Sequence, residues 1–176
     1  MPLRHPLPPL WLVTDERQDG VLAAAERLPR GSGILFRHYR TAPAERRALF
    51  RAVRSIARRR GHRLLLADRR ATAAAWGADG WHGSGRGAHS RSVHDLAELR
   101  RAEREGVRMV FVSPVYPTRS HPGACVLGVR CFAALVRSTH LPAIALGGVT
   151  WGNAAPLLAA GAYGWAGIDA WSDAGA

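Results

Sequence analysis

The stretch Arg108–Gly128 reads RMVFVSPVYPTRSHPGACVLG and contains the pattern that decides the fold. Its first part, Met109–Val112, is a continuous apolar run, which predicts a strand covered on both faces, as in parallel sheets. A polar loop with three prolines follows, and it also holds hydroxyl side chains, an arginine and a histidine. In α/β proteins the loops that leave the carboxyl ends of such strands carry the chemistry. We therefore expect a parallel sheet with its functional residues in the loops after the strands.

Segments of the same kind recur along the whole chain of 176 residues. Apolar runs bounded by turn residues predict further strands over Leu10–Thr14, Gly33–Phe36, Arg63–Ala67, Gly80–His82, Ala143–Leu146 and Gly164–Gly167. Apolar residues at helical spacing predict helices over Asp19–Leu28, Pro43–Arg60, Ala71–Trp76, Ser92–Glu105, Val129–Val136 and Asn153–Ala159. Strands that alternate with helices form a parallel sheet, so we predict one α/β domain over residues 1–176.

Two of these helix starts are predicted from capping residues. Ser92 is the N-cap of a capping-box variant, and the helix after it is expected to bury Leu96 and Leu99. Asn153 is expected to cap the short helix near the end of the chain.

The helix over Pro43–Arg60 carries arginines between its apolar positions. They are Arg46, Arg47, Arg51, Arg54 and Arg58. We interpret them as the solvated outer face of the helix, and a nucleic-acid-binding face is the alternative.

The formal net charge is +12, and the chain contains no lysine. Schiff-base catalysis and a P-loop lysine are therefore excluded, and any phosphate must be held by arginine, histidine, hydroxyl groups or backbone N–H groups. The charge suits an anionic partner, either a small molecule or a nucleic acid. We expect phosphorylated small molecules and no nucleic acid, because no nucleic-acid-binding motif is present. Oligomeric state is not predicted.

Localisation and cysteine chemistry follow from what the chain lacks. No run is long and apolar enough to span a membrane, and the N-terminus lacks a signal peptide's apolar region, so the cytoplasm is expected and no membrane partner. Cys125 and Cys131 are too few for a disulfide framework and do not form a zinc motif. We expect them to be small core-type thiols.

The loop Ser113–His121, SPVYPTRSH, resembles the Gly-Pro-Val-Phe-x-Thr-x-Thr-Lys loop of thiamine phosphate synthases. Other signatures of that family follow its order along nearly the whole chain, at Leu10–Asp15, Leu65–Arg69, Gly77–His82, Ser92–His94 and Ile144–Asn153. The resemblance, together with the strand and helix pattern, implies a (β/α)8 TIM barrel. Such barrels typically take about 250 residues, so we expect a trimmed barrel with reduced fourth and last helices.

The family joins hydroxymethylpyrimidine diphosphate to thiazole phosphate and releases diphosphate. The resemblance implies catalytic roles for Arg37, Ser92 and His121, and a Mg²⁺-binding role for Asp68. It also implies substrate- or phosphate-binding roles, which fall on Arg40, Thr118, Arg119, Ser120, Gly147 and Gly148. Gly147 and Gly148 correspond to glycines that cradle the thiazole phosphate through backbone N–H groups.

Several positions depart from the family pattern. They are Leu35, Tyr39, Ala67, His121 and Asp169, where the family has glutamine, lysine, asparagine, lysine and serine. The second metal-binding carboxylate is missing from Gly83–Gly87. Two alternatives therefore stay open. One is a thiazole tautomerase-like isomerase, although the tautomerase histidine falls at Pro114. The other is a non-catalytic protein that binds a phosphorylated ligand.

Structural roles are also open for some of these residues. Asp68 is as well explained by an ion pair with a barrel arginine, and Gly147 and Gly148 by a tight turn. Trp81 and Trp151 either pack the barrel or stack on a heterocycle. A metal cluster of His82, His89 and His94 is the less favoured reading.

Overall fold

A computed structural model describes residues 7–118, 123 and 125–171, and its eight parallel strands form a closed barrel. Each strand pairs with the next in sequence order, and the last pairs with the first. The strands are β1 (Leu10–Val13), β2 (Gly33–Phe36), β3 (Arg63–Ala67), β4 (Gly80–His82), β5 (Ser90–Val93), β6 (Met109–Val112), β7 (Ala143–Ala145) and β8 (Gly164–Gly167). The predicted TIM barrel is confirmed.

Most of the strands are largely apolar because both of their faces are buried, as expected for a parallel barrel. Successive side chains point to opposite faces, so Trp11 fills the barrel interior while Leu12 packs under the helices. Inside the barrel the Trp11 ring meets the edge of Phe111, with ring centroids 5.5 Å apart.

Six helices lie in the part of the chain that the structure describes. They are α1 (Val21–Arg27), α2 (Pro43–Arg60), α3 (Arg70–Trp76), α4 (Leu96–Glu105), α5 (Gly128–Arg137) and α6 (Ala155–Ala159). No helix separates β4 from β5, which agrees with the predicted reduction of the fourth helix. After β8 the described chain ends in a 3₁₀ turn, Asp169–Trp171. None of these helices is long and apolar enough to cross a membrane.

The predicted start of α4 is wrong by three residues. Ser92 belongs to strand β5, and the N-cap is Asp95, whose carboxylate accepts a hydrogen bond from the backbone N–H of Glu98 at 2.8 Å. Leu99 is buried as predicted, but Leu96 is exposed. The strand was missed because it reads Ser-Arg-Ser-Val, and its serines face a buried histidine rather than an apolar core.

The predicted cap of α6 is also wrong. The N-cap residue is Ala154, and Asn153 instead closes the loop that precedes the helix. Its Oδ1 accepts from the backbone N–H of Thr150 at 2.8 Å, and its Nδ2 donates to the carbonyl oxygen of Gly148 at 2.9 Å. Asn153 therefore stabilises the β7–α6 loop, next to the two glycines expected at the phosphate site.

Candidate functional site

A cavity of about 680 Å³ opens at the carboxyl ends of the strands, where a parallel barrel carries its chemistry. Most of its wall is apolar, and a few polar groups converge on it. The described residues that line it are Val13, Leu35, Arg37, Tyr39, His82, Ser92, His94, Ser113, Pro114, Thr118, Cys125, Val126, Leu127, Cys131, Leu146, Gly147 and Ile168. A largely apolar cleft with few polar groups is typical of a site for a small organic ligand.

Arg37 is the one arginine among the described residues that line this cavity. It follows β2, and its backbone N–H donates to the hydroxyl of Thr14 at 3.0 Å, which fixes the start of the loop. Its guanidinium group lies 4.0 Å from the carboxylate of Asp15 and 5.7 Å from the centre of the Tyr39 ring. A cation held at the cavity wall in this way suits an anionic ligand group.

The carboxylate of Asp15 is shared between two arginines, but unequally. Arg17 makes two side-chain hydrogen bonds to it, at 2.7 and 2.9 Å, while Arg37 stands 4.0 Å away. The hydrogen bond from Arg17, opposed by burial, lowers the pKa of Asp15 to about 2. Because Arg17 is the closer partner of this carboxylate, the positive charge of Arg37 is only partly compensated by Asp15.

Ser92 lines the cavity and is tied to a buried histidine below it. Its hydroxyl lies 3.2 Å from Nε2 of His82, and the hydroxyl of Ser90 lies 2.9 Å from Nδ1 of the same ring. Burial, with smaller contributions from Arg37 and Arg91, lowers the pKa of His82 to about 4. The imidazole is therefore neutral at pH 7, one ring nitrogen donates and the other accepts, and the ring orients both hydroxyl groups.

Asp68 lies just after β3, beside the cavity rather than in its wall. Its Oδ2 is 2.5 Å from the guanidinium of Arg46, and its Oδ1 accepts from the backbone N–H of Arg69 at 2.7 Å. Burial raises the pKa of Asp68, but the hydrogen bonds from Arg46 and Arg69 outweigh it and the net pKa is lowered. The ion pair with a barrel arginine, one of the two interpretations open from the sequence, is present.

The donor set around Asp68 does not fit a resident magnesium ion. Nowhere in the described ranges do three His, Cys, Asp or Glu side chains come close enough to hold a metal. Asp68 is a lone carboxylate already engaged by Arg46, whereas Mg²⁺ takes an octahedral shell of oxygen ligands. Any Mg²⁺ at this place would depend on oxygens brought by a substrate, so the magnesium expectation remains a prediction.

The predicted cradle glycines contact the loop that follows β6. Gly147 has φ 95° and Gly148 has φ 64°, both in the left-handed region that favours glycine. A Cβ at Gly148 would lie 2.4 Å from the carbonyl oxygen of Pro117, and one at Gly147 would lie 2.8 Å from Cα of Pro114. The pair therefore has a structural role in seating this loop, and Gly147 also lines the cavity.

The remaining predicted residues divide into three groups. Thr118 lines the cavity as expected. Arg40 is exposed and lines neither the cavity nor the cleft at Asp68. Arg119, Ser120 and His121 lie outside the residues that the structure describes.

Several cavity residues were not assigned to the site from the sequence. His94 lines the cavity, and its Nδ1 lies 2.6 Å from the carbonyl oxygen of Ser113, so that nitrogen donates. Cys125 and Cys131 are exposed and line the cavity, so the expectation of core-type thiols is wrong. The signal that could have found His94 and Cys125 is their position after β5 and β6, next to Ser92 and on the same loop as Thr118, respectively, whereas Cys131 lies in α5.

The three histidines of the metal-cluster interpretation do not come together. His82 and His94 both line the cavity, but His82 is engaged with two serines and His94 with the carbonyl oxygen of Ser113. His89 lies at the opposite end of the barrel, just before β5.

Of the two tryptophans considered for stacking, neither lines the cavity. Trp81 lies in the cleft at Asp68, and Trp151 packs edge-on against Trp165 and Trp171.

The comparisons with known proteins agree with the motifs. A family model described as thiamine monophosphate synthase matches residues 90–171. The Geobacter sulfurreducens protein named "Putative thiamine-phosphate synthase" is 35% identical over 183 residues, which cover 92% of this chain and 85% of that protein. The thiamine-phosphate synthase of Methanospirillum hungatei is 33% identical over 184 residues, which cover 92% of this chain and 88% of that protein. The structure of the thiamine phosphate pyrophosphorylase from Pyrococcus furiosus superposes with a TM-score of 0.79 at 25% identity, covering 95% of this chain and 87% of that one. This chain belongs to the thiamine phosphate synthase family.

Proposed function

We propose that the chain joins hydroxymethylpyrimidine diphosphate to thiazole phosphate and releases diphosphate. The observation that carries this proposal is the cavity of about 680 Å³, in which Arg37 faces mostly apolar walls at the carboxyl ends of the strands. The apolar walls suit two flat heterocycles, and the guanidinium group suits an anionic leaving group. The reaction class comes from the family to which the chain belongs.

The chemistry needs charge stabilisation more than it needs a base. The bond between the pyrimidine methylene carbon and the diphosphate oxygen breaks, and its electron pair leaves with diphosphate. The ring nitrogen of the thiazole forms the new bond with a lone pair and has no proton to lose. Arg37 supplies positive charge at the wall, and Ser92, oriented by His82, supplies a hydroxyl group.

Magnesium enters this scheme only as the counter-ion of the diphosphate substrate. Asp68 is paired with Arg46, so no step is assigned to a metal held by the protein alone. The predicted dependence on Mg²⁺ is tested in the same assay, by comparing added Mg²⁺ with added chelator.

The experiment measures thiamine phosphate formed from the two substrates by folded protein. We expect turnover by the native chain and a loss of about 10- to 100-fold in kcat/KM for Arg37→Gln, because a charge-assisted contact to the leaving group is removed. Arg40→Gln is the matched control, since Arg40 is an exposed arginine three residues away that lines neither the cavity nor the cleft. Equal losses in the two variants, or no product from folded native protein, would contradict the proposal.

A second candidate is a non-catalytic protein that binds a phosphorylated ligand. It is favoured by the Arg46–Asp68 ion pair, which occupies the carboxylate that the family would use for metal. This candidate predicts heat on calorimetric titration with thiazole phosphate but no product in the assay. The isomerase alternative has less support, because Pro114 lines the cavity at the position of the tautomerase histidine.

A further inference from the structure

A second cavity, of about 550 Å³, lies at the opposite end of the barrel from the candidate site. It is bounded by the start of β3, by the residues that precede β4, β5 and β6, and by the C-terminal end of α2. Its charged and titratable side chains are Arg54, Arg58, Arg63, Arg108, His62, His89 and Asp79. It is a separate feature from the family's reaction site, and nothing in the proposed function uses it.

The arginines in this cavity are not neutralised by the protein. Over the described ranges, no ion pair or hydrogen bond involves the guanidinium group of any of the four. The carboxylate of Asp79 is the only acidic group in the described lining, and its Oδ2 already accepts from the backbone N–H of Leu64 at 2.7 Å. Four guanidinium groups against one carboxylate make an electropositive concavity, in which low-dielectric walls focus the field.

The histidines of the cavity lack partners as well. His62 is 94% buried, and neither of its ring nitrogens forms a hydrogen bond of normal geometry, although the Ala25 carbonyl lies near the ring. Nδ1 of His89 is also buried without a partner. Neither ring carries a negative charge, so the histidines do not neutralise the arginines beside them.

Two glycines make room for the basic groups. The guanidinium of Arg54 lies 2.4 Å from the place where a Cβ of Gly77 would stand. The imidazole of His89 lies 2.3 Å from the corresponding point at Gly80. A side chain at either glycine would collide with the basic group in its present position at the cavity wall.

The C-terminal end of α2 does not cancel the positive field. The last carbonyl groups of a helix carry partial negative charge when they are unpaired. Here the carbonyl oxygen of Ala57 accepts from Gly61 and His62, and that of Arg60 accepts from Gly31. The carbonyl of Arg59 accepts from the side chain of Arg30. The helix end is therefore largely satisfied, and the arginines dominate.

We propose that this cavity is a second binding site for a small phosphate-bearing anion. Arg58, Arg63 and Arg108 supply charged N–H donors at its wall. The volume exceeds that of inorganic phosphate, so the site fits a diphosphate or a phosphomonoester of a small molecule.

The test is an NMR titration of the ¹⁵N-labelled chain with inorganic diphosphate at low salt. The probe will also enter the candidate site, so the location of each response is needed. We expect the amide signals of Leu64, His89 and Arg108 to shift as one set, and those of Ser113 and Gly147 to shift as another, with its own affinity. The double variant Arg58→Gln/Arg108→Gln changes two exposed residues. We expect it to weaken the diphosphate affinity reported by the first set of signals about tenfold or more, and to leave the affinity reported by the second set unchanged.

The matched control is Arg47→Gln/Arg104→Gln, which removes the same charge from exposed helix positions outside the cavity. A second cavity variant, Arg63→Gln, guards against misfolding of the first, and both must keep the native spectrum. The proposal would be overturned if diphosphate did not shift the amide signals of Leu64, His89 and Arg108 in the native chain. It would also be overturned if the control variant weakened diphosphate binding at this cavity as much as the cavity variant does. A short single-stranded oligonucleotide is titrated in the same way. If it shifts the first set of signals and diphosphate does not displace it, the proposal is overturned and the cavity binds nucleic acid instead.

Discussion

The guanidinium of Arg46 and the carboxylate of Asp68 form an ion pair of 2.5 Å that joins α2 to the loop after β3. The same arginine donates to the carbonyl oxygens of Arg37 and Ala67, at 2.9 Å each, and its guanidinium lies 5.3 Å from the centre of the Trp76 ring. Arg46 was expected on a solvated helix face, but only 11% of its side chain is exposed. It thereby fixes the backbone that carries Arg37 into the cavity.

Replacing Arg46 should lower the free energy of unfolding, whereas replacing the neighbouring Arg47 should leave it nearly unchanged. In Arg46→Met the carboxylate of Asp68 and two carbonyl oxygens lose the guanidinium group that donates to them. We expect a loss of about 2 kcal/mol in the free energy of unfolding, less than for a fully buried pair because Asp68 is partly exposed. Urea denaturation measures it, and the exposed Arg47→Met should stay within about 0.5 kcal/mol of the native chain. Equal losses would mean that Arg46 is an ordinary surface residue.

Asp15 should make the fold sensitive to acid. Its pKa is about 2 in the folded chain against an ordinary value of 3.8, so the carboxylate stabilises the fold above pH 4, and this contribution is lost as the pH falls towards 2. The shift corresponds to about 2 kcal/mol.

Unfolding free energies measured between pH 5 and pH 2 check this effect. Asp15→Asn should lack this part of the acid loss, whereas Asp19→Asn, at an exposed position, should keep it. Identical slopes in the two variants would assign the acid sensitivity to other groups.

The resemblance to the family, together with the strand and helix pattern, predicted the closed barrel. Most of its strands could be placed because they are short apolar runs, whose burial on both faces is visible in the residues themselves. Strand β5 could not, because Ser90 and Ser92 face His82, and a strand satisfied by hydrogen bonds leaves no apolar pattern. Arg37 and Thr118, which lie on the loops after β2 and β6, line the cavity, and their predicted roles stay predictions.

The contacts of long side chains on helices were harder to predict from the sequence than the strands. Arg46 and Arg54 occupy similar polar positions on α2, yet one reaches the cavity end of the barrel and the other lies over Gly77 at the opposite end. Their destinations depend on which loop lies beside each turn of the helix, and helical spacing does not contain that information.

His82 should remain neutral through the physiological range. Burial lowers its pKa to about 4, so the folded chain does not take up this proton until the pH falls well below the unfolded value of 6.5. The unfolded chain binds the proton first, so stability contributed by the neutral ring is present above pH 6.5 and is lost as the pH falls to about 4.

Imidazole chemical shifts measured from pH 8 to pH 4 test the prediction for His82. The ring signals should stay constant down to about pH 5 in the native chain, and the same residue should titrate near pH 6.5 in urea. A native midpoint near 6.5 would mean that burial does not hold the His82 ring in its neutral form.

Gly148 should not accept even a methyl group. A Cβ there would lie 2.4 Å from the carbonyl oxygen of Pro117 and 2.9 Å from Cβ of Tyr116, and φ is 64°. Gly148→Ala must therefore displace the loop after β6, and we expect a loss of about 1–3 kcal/mol in unfolding free energy. The matched control is Gly152→Ala in the same β7–α6 loop, where the nearest atom to a Cβ is 3.8 Å away.

Because that loop lines the cavity, Gly148→Ala should also weaken the binding of thiazole phosphate, measured by calorimetry, whereas Gly152→Ala should bind like the native chain. A Gly148→Ala protein with native stability and affinity would show that the loop after β6 adapts to the added methyl group, and that the close contact of the two loops is not required for the cavity.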